Sequence, residues 1–396
     1  MLENTEDRLL LHCLGIGTDN VEIDELRQLS TDDWDEIIQQ AYGHGVCPLL
    51  YHHLGSLGAD ADIPLGVEQK LRNIYFQNMK TNMWLFHELS KILSLLQEHS
   101  VQVIVLKGAC LAELIYQDIT LRPMIDIDLM IKSEDRLLVN RLMLQAGYRS
   151  VSLFSKRHLQ WGDIVRGMIY KSGATIFDCH IQIDEVPDPW SNVTSATIAS
   201  TDALILGAEE LLLHLCVHAD NHLRIESPKL IWWYDVAELL KHYQGKLDWD
   251  YIVQFSREHK MEVGIHRTLH LINKEFGGHV PAGVLDRLGA DDATISIDHI
   301  LHAAKVLGER PRPPSWFLDI YKVPSARDKI CYVFARLFPS REYMTDHYLV
   351  SRPSLVYLYY PVRIFSFILT VPRGLFRLPV YLWNRYVSHK KLRQKN

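Results

Sequence analysis

The chain has 396 residues, 47% hydrophobic and 23% charged, with only 21 Gly and 16 Pro. That composition excludes collagen-like, low-complexity and disordered classes and allows two or three globular domains. A formal net charge of −6 does not suggest a general nucleic-acid binder. The six cysteines (Cys13, Cys47, Cys110, Cys179, Cys216, Cys331) show no CxxC or zinc-knuckle spacing and lie mostly in apolar runs. The N-terminal "MLENTEDRLLLHCLG" lacks the basic and apolar regions of a signal peptide, so reduced thiols and a cytoplasmic setting are expected.

Residues 1–98 read as an N-terminal helical region. In "STDDWDEIIQQAYGHG", Ser30 or Thr31 is a candidate cap, followed by first-turn acids and apolar residues at helical spacing. "LGVEQKLRNIYFQNMKTNMWLFHELSKILSLLQEHS" is amphipathic and reads as one long helix or two packing helices. From Val101 the pattern changes. "VQVIVL" is short, β-branched and bounded by Lys107-Gly108, which predicts a strand, and "ACLAELIYQD" predicts a helix. "MIDIDLMI" is a second strand. "SEDRLLVNRLMLQAGY" is a helix capped by Ser133 and ended near a glycine. A strand near "HLQWGDIVRGMIYK" is weak, and "ATIFDCHIQID" is a further strand.

These elements make an α/β core over residues 99–190. From Asp202 the chain reads as helix again, giving a C-terminal helical domain over 200–335 with a linker at "ERPRPPSW" (309–316). Residues 336–396 form a basic amphipathic tail. From His347 to Asn396 there are nine Lys/Arg and no Asp or Glu, which leaves 33 basic against 48 acidic residues elsewhere, a net of −15.

Side chains alternate along a strand, so Asp126, Asp128 and Met130 share one face while Ile125, Ile127, Leu129 and Ile131 share the other. Two neighbouring carboxylates disfavour joint ionisation, and a hard divalent cation relieves the conflict. "ATIFDCHIQID" repeats the layout, with Ile176, Asp178, His180, Gln182 and Asp184 on one face. If the strands are neighbours, Asp178 joins Asp126 and Asp128, and three carboxylates can hold two Mg²⁺ ions for in-line phosphoryl chemistry. An ordinary half-solvated strand also alternates in this way. Against that reading stand the poor strand propensity of Asp and the Lys107-Gly108 turn, where a glycine permits close backbone approach and a helix N-terminus faces an anion.

The order strand–KG–helix–"DIDL"–strand Asp resembles nucleotidyltransferases of the DNA polymerase β-like superfamily. More closely, "VIVLKGACLAELIY…LRPMIDIDLMI…AGY…IFDCHIQID" resembles an uncharacterised bacterial nucleotidyltransferase family. "DWDEIIQQAYGHGVCPLLYHHL" and "LLLHLCVHADNH…WWYDVAELL…LDWDYIV" extend the likeness over residues 30–280. The resemblance implies an α+β fold, a small mixed-sheet palm flanked by helical regions. It implies Asp126 and Asp128 as paired metal ligands, Asp178 as the third carboxylate, and Lys107, Gly108, Ala109, Arg122 and His180 at the nucleotide. Mg²⁺ or Mn²⁺ would be the cofactor, and an NTP such as ATP the donor. A nucleoside monophosphate would pass to a hydroxyl on a small molecule, sugar or protein, with release of pyrophosphate. Long nucleic acid is not expected. The small hydroxyl residue that usually follows the loop glycine is Ala109 here, and the stretch from Gly108 to Asp126 is longer than in minimal members. A non-catalytic nucleotide-binding or scaffold protein retaining the palm is the alternative.

His214, His218 and His222 recur at i, i+4 and i+8 on one helical face, as structural residues, cleft lining or a metal site. Asp235, in "WWYDVAELL", reads as a buried carboxylate paired to Arg or His, or as a substrate contact; Trp232 and Trp233 read as core or as a base platform. The aromatic and arginine-rich residues 350–396 suit an anionic membrane surface or the acidic body of the protein itself.

Overall fold

The computed structural model describes residues 5–16, 23–57, 63–151, 167–183, 185–225, 228–289, 295–298, 300–301, 325–348, 350 and 353–366. The expected linker at 309–316, residues 158–166 of the stretch expected to hold a strand, Asp184 and residues 367–396 lie outside them, while the rest of that stretch is strand, Gly167–Ser172. The chain forms two compact units: Met1–Lys132 with Ala174–Glu309, and Ser133–Gly173 with Arg310–Asn396.

The first unit opens with helices α1 (Thr5–Cys13), α2 (Ile23–Arg27), α3 (Thr31–Gly43) and α4 (Cys47–Leu57). Ser30 caps α3: its hydroxyl accepts from the Asp33 amide at 3.2 Å, and the Asp33 carboxylate accepts from the Ser30 amide at 2.8 Å. Next, α5 (Leu65–Glu98) is one continuous helix of 34 residues, so the long amphipathic pattern is not two helices. It does more than pack. Asn82 is wholly buried and donates to the carbonyl of Arg122 at 2.8 Å and to that of Ile119; Asn78 donates to Thr120 O at 2.6 Å. These amides satisfy backbone acceptors of the loop that leads to the aspartates.

The strands in chain order are β1 (Val103–Val105), β2 (Ile127–Ile131), β3 (Arg149–Ser150), β4 (Gly167–Ser172), β5 (Thr175–His180), β6 (Val193–Ile198) and β7 (Thr201–Leu206). Within the first unit the order is β5-β2-β1-β7-β6. β1 pairs antiparallel with β2 and parallel with β7, β2 pairs parallel with β5, and β6 pairs antiparallel with β7. The sheet is mixed, and the fold is α+β. Every residue of β2 is buried, with β1 and β5 on its two sides and the helix that starts at Lys107 packed against it. The expected alternation therefore fails at its start: the strand begins at Ile127, and Ile125 is 75% exposed.

Residues from Asp202 were expected to be helical, but Thr201–Leu206 is a strand and the helix α8 (Ala208–Ile225) starts after Gly207. A continuous apolar run hides the change of period. The hairpin turn also lacks Gly or Asn: Ala199 and Ser200 carry φ of 51° and 59° themselves. The Glu113 carboxylate stabilises that turn by accepting from the Ala199 amide at 2.7 Å. The sheet thus runs to residue 206, past the expected core limit of 190, while Ser133–Gly173 groups with the C-terminal residues. Helices α9 (Leu230–His242), α10 (Trp249–Glu258), α11 (Glu262–Glu275) and α12 (Val284–Leu288) follow, and α8 packs on α9 and α11.

In the second unit, α7 (Arg136–Gln145) follows the short 3₁₀ helix α6′ (Ser133–Asp135). Ser133 is not the helix cap; its carbonyl and hydroxyl accept from Arg136 instead. Gly147, at φ 88°, ends the helix as its position predicted, with Tyr148 N donating to Met143 O at 3.0 Å. β3 and β4 form an antiparallel ribbon. Further on lie two more helices, α13 (Ala326–Leu337) and α14 (Arg341–His347). Asp346 of α14 meets Arg149 at 3.0 Å and Lys171 at 3.5 Å. No helix among the described residues is long and apolar enough to cross a membrane.

Candidate functional site

The parallel pairing of β2 with β5 sets Asp128 directly opposite Asp178. His180 lies two residues along β5, on the face that carries Asp178. Lys107 stands at the end of β1, one residue past Leu106, whose amide donates to Asp128 O at 3.0 Å. Strand pairing therefore fixes all four backbones.

Asp128 is the hub of the site. Its Oδ1 accepts from Lys107 Nζ at 3.3 Å and from His180 Nε2 at 2.8 Å. His180 Nε2 is also 3.7 Å from Asp178 Oδ2. Burial works against ionisation of Asp128, yet Lys107 and His180 overcome it and hold the carboxyl well below the usual carboxylate range. Asp126, next to it, goes the other way. Burial and the charge of Asp128 push it up to about 6. Burial and Asp128 also raise Asp178, with His180 opposing. Burial disfavours the cationic form of Lys107, but Asp128 raises it above its ordinary value. The site thus concentrates acidity that it only partly neutralises.

Asp128, Asp178 and His180 each offer a ligand atom, and these atoms lie within 4.8 Å of one another. Asp126 is not in that set. Among the described residues this is also the only three-ligand group, so His214, His218 and His222 do not form one.

The Lys107-Gly108 turn has a tight geometry. Lys107 adopts φ 41°, and α6 (Lys107–Cys110) runs into a π-helical turn, Leu111–Ile115. Gly108 and Ala109 are buried. A Cβ on Gly108 would stand 3.0 Å from Arg122 Nη1 and 3.1 Å from Met124 Cγ. A side chain here would push Arg122 and Met124 aside by a few tenths of an ångström, so side-chain crowding favours the glycine whether or not a phosphate binds.

Arg122, expected at the nucleotide, is engaged by a carboxylate of the protein itself. Its Nη2 donates to Asp235 Oδ2 at 2.8 Å, its Nε to Asp235 Oδ1 at 3.3 Å, and its Nη1 to Pro123 O at 3.0 Å. Tyr116 also donates to Asp235 Oδ1, at 2.9 Å. The open choice for Asp235 resolves as a buried carboxylate paired to arginine. Trp233 is core, while Trp232 is half-buried against His222, ring centroids 4.0 Å apart.

The three histidines of α8 do line up. His214 and His218 ring centroids are 6.0 Å apart, and those of His218 and His222 4.3 Å. His214 Nδ1 is 3.5 Å from Glu185 Oε2. Burial pulls His218 well below its ordinary value, helped by the charge of Lys107, which brings this face of α8 into the field of the site. Glu185 was missed in the sequence. Burial opposes its ionisation, but His214 holds it far below the usual range, and it in turn raises Lys107. No motif marks it; only the irregular turn after β5 brings it there.

Asp128, Asp178 and His180 thus meet on adjacent strands beside the lysine turn, with Asp128 buried and the other two partly exposed. Residues 30–277 match the model of a family described as uncharacterised nucleotidyltransferase, and the chain belongs to that family. No curated protein matches the chain. Similar solved structures include the antibiotic-resistance factor ANT(2'')-Ia in solution, with 18% identity over 48% of this chain and 97% of that one and a TM-score of 0.34. A crystal structure of ANT(2'')-Ia with adenylyl-2''-tobramycin gives 17% identity over 47% and 97%, with a TM-score of 0.32. An antigenic nucleotidyltransferase-like protein from Paracoccidioides brasiliensis gives 14% identity over 55% and 96%, with a TM-score of 0.32.

Proposed function

We propose that the chain transfers a nucleoside monophosphate from an NTP, with ATP the first donor to test, to a hydroxyl on a small molecule, sugar or protein. The observation that carries this reading is the Asp128–Asp178 register beside Lys107, within a chain of this family. The donor set fits a divalent cation: buried carboxylates in excess of their local counter-charges are what such an ion stabilises. Asp126, Asp128 and Asp178 are the residues that would hold Mg²⁺ or Mn²⁺, as one or two ions. When bound, the ion supplies charge neutralisation at the triphosphate and greater acidity at the acceptor hydroxyl.

The chain's own groups do the rest. Lys107 neutralises phosphate charge, a task that does not fall to Arg122 because Asp235 engages it. Asp178, raised by burial, is the carboxylate suited to take the acceptor proton. The acceptor oxygen bonds to the α-phosphorus, the bond from that phosphorus to the bridging oxygen breaks, and pyrophosphate leaves. His218 and His222 line the approach from α8.

Incubation with α-labelled NTPs, Mg²⁺ and cell extract tests this. Label should pass to an acceptor with wild type and not with the Asp126/Asp128 double variant. Asp128→Ala alone should abolish transfer with the circular dichroism spectrum unchanged. Nucleotide binding without any transfer would favour the non-catalytic alternative.

For the C-terminal region we infer contact with an anionic membrane surface. Ile330, Phe334 and Phe338 recur every four residues at α13 and are 71%, 55% and 40% exposed, and Tyr357, Leu358 and Phe365 are also exposed. The residues at α13 precede, and the other three fall within, the stretch from His347 that is rich in Lys and Arg and free of acids.

A further inference from the structure

The kind of cation a site takes is set by its ligand atoms. The clustered ligand atoms are two carboxylate oxygens and one imidazole nitrogen, from Asp128, Asp178 and His180. A set of three carboxylates alone would have pointed to Mg²⁺.

The geometry suits a shared ion. Two atoms bound to one ion at about 2.0–2.2 Å stand roughly 3–4 Å apart. His180 Nε2 is 2.8 Å from Asp128 Oδ1 and 3.7 Å from Asp178 Oδ2, so small rotations convert contacts among the three groups into contacts with an ion. Their backbones are fixed independently: Asp128 and Asp178 are register partners, and His180 pairs with Met130 two residues further along the same two strands. No chain movement is needed. Asp126 lies before the start of β2 and outside this set, so His180 adds to the carboxylates of the proposed site and does not replace one.

Resting on the proposed cation site, we infer that His180 is a direct metal ligand with Asp128 and Asp178, and that the mixed nitrogen–oxygen set selects a first-row transition ion such as Mn²⁺ over Mg²⁺. Mg²⁺ is hard, demands near-ideal octahedral oxygen coordination and gives up water reluctantly. Imidazole is a softer donor, suited best to Zn²⁺, Cu²⁺, Fe²⁺ and Ni²⁺, and Mn²⁺, the hardest of the first-row series, still accepts it more readily than Mg²⁺ does. Lys107 shares Asp128 Oδ1 with His180 in the absence of an ion, and on ion binding it would turn toward phosphate.

The experiment is Mn²⁺ binding by the full chain, followed by electron paramagnetic resonance, with Mg²⁺ as competitor and no nucleotide or turnover. Wild type should bind Mn²⁺ more tightly than Mg²⁺, with spin-echo modulation from a directly bound ¹⁴N. His180→Gln should remove the modulation and weaken Mn²⁺ by about tenfold or more, while Mg²⁺ affinity moves much less. Bound Mn²⁺ without nitrogen coupling, or a Mn²⁺-to-Mg²⁺ preference unchanged in His180→Gln, would overturn the inference and leave the cation site standing. Mn²⁺ binding that survives Asp128→Asn, or its absence from wild type, would overturn both. Should His180→Gln fail to fold, wild type carrying ¹⁵N-histidine still reports whether imidazole binds the ion, and an absent isotope effect counts against the inference.

Discussion

At the residue scale, Asp126 is the group whose ionisation the fold opposes. Burial and Asp128 push it up to about 6, above the ordinary carboxylate value. A carboxyl raised on folding binds its proton more tightly in the native state, so it favours folding at low pH. That contribution is lost as pH rises through the folded value. In chelator, Asp126→Asn should therefore melt above wild type near pH 7.5, and the gap should close as pH falls toward about 4. Thermal melts of the two proteins across that range check it, and a gap independent of pH would refute the assignment. Adding a divalent ion should reverse the order, because wild type gains more from binding.

The site was partly legible at this scale. Asp on a strand, repeated on a second strand, is costly enough to notice, and Asp128 and Asp178 are indeed register partners. The bond from His180 to Asp128 was not foreseeable from alternation alone, which placed His180 only on a shared face with Asp178. The partner of Arg122 is Asp235, 113 positions away. A sequence shows an unpaired arginine near a phosphate-type turn; it does not show which distant carboxylate claims it.

At the scale of elements, that pair joins α9 to the loop before β2, and Arg122 Nη1 in turn bounds the space at Gly108. Removing one partner leaves a buried charge alone, a cost of about 3–5 kcal/mol. Arg122→Met should lower stability in denaturant titrations by roughly that amount. Arg122→Met with Asp235→Leu should recover much of it, since an apolar pair of similar volume avoids the unpaired charge. A double variant no better than the single would argue that Arg122 acts elsewhere. The elements themselves were legible where a cap or a long period marks them, as at Ser30 and along α5. The β6–β7 hairpin was not. Its turn uses Ala199 and Ser200 at positive φ, and β7 leads into α8 through an apolar run that fits a strand or a helix equally.

At the scale of the whole molecule, charge is segregated along the sequence: nine basic residues and no acids after Asp346, and a net of −15 before His347. If the exposed apolar residues at α13 act with this charge, the full chain should sediment with phosphatidylglycerol-rich vesicles and not with phosphatidylcholine. Phe334→Glu should weaken the binding, as should raising salt toward about 0.5 M. Equal binding to both vesicle types would remove the electrostatic part of the idea.

The second unit is assembled from two stretches of chain with Ala174–Glu309 between them. On the ribosome, Arg149 and Lys171 are made long before Asp346, the carboxylate that meets them both. At translation speeds of about 5–20 residues per second, that wait is on the order of ten seconds or more. Through that interval Arg149 and Lys171 stand without their shared carboxylate, so the ion pairs of the second unit form only late in synthesis.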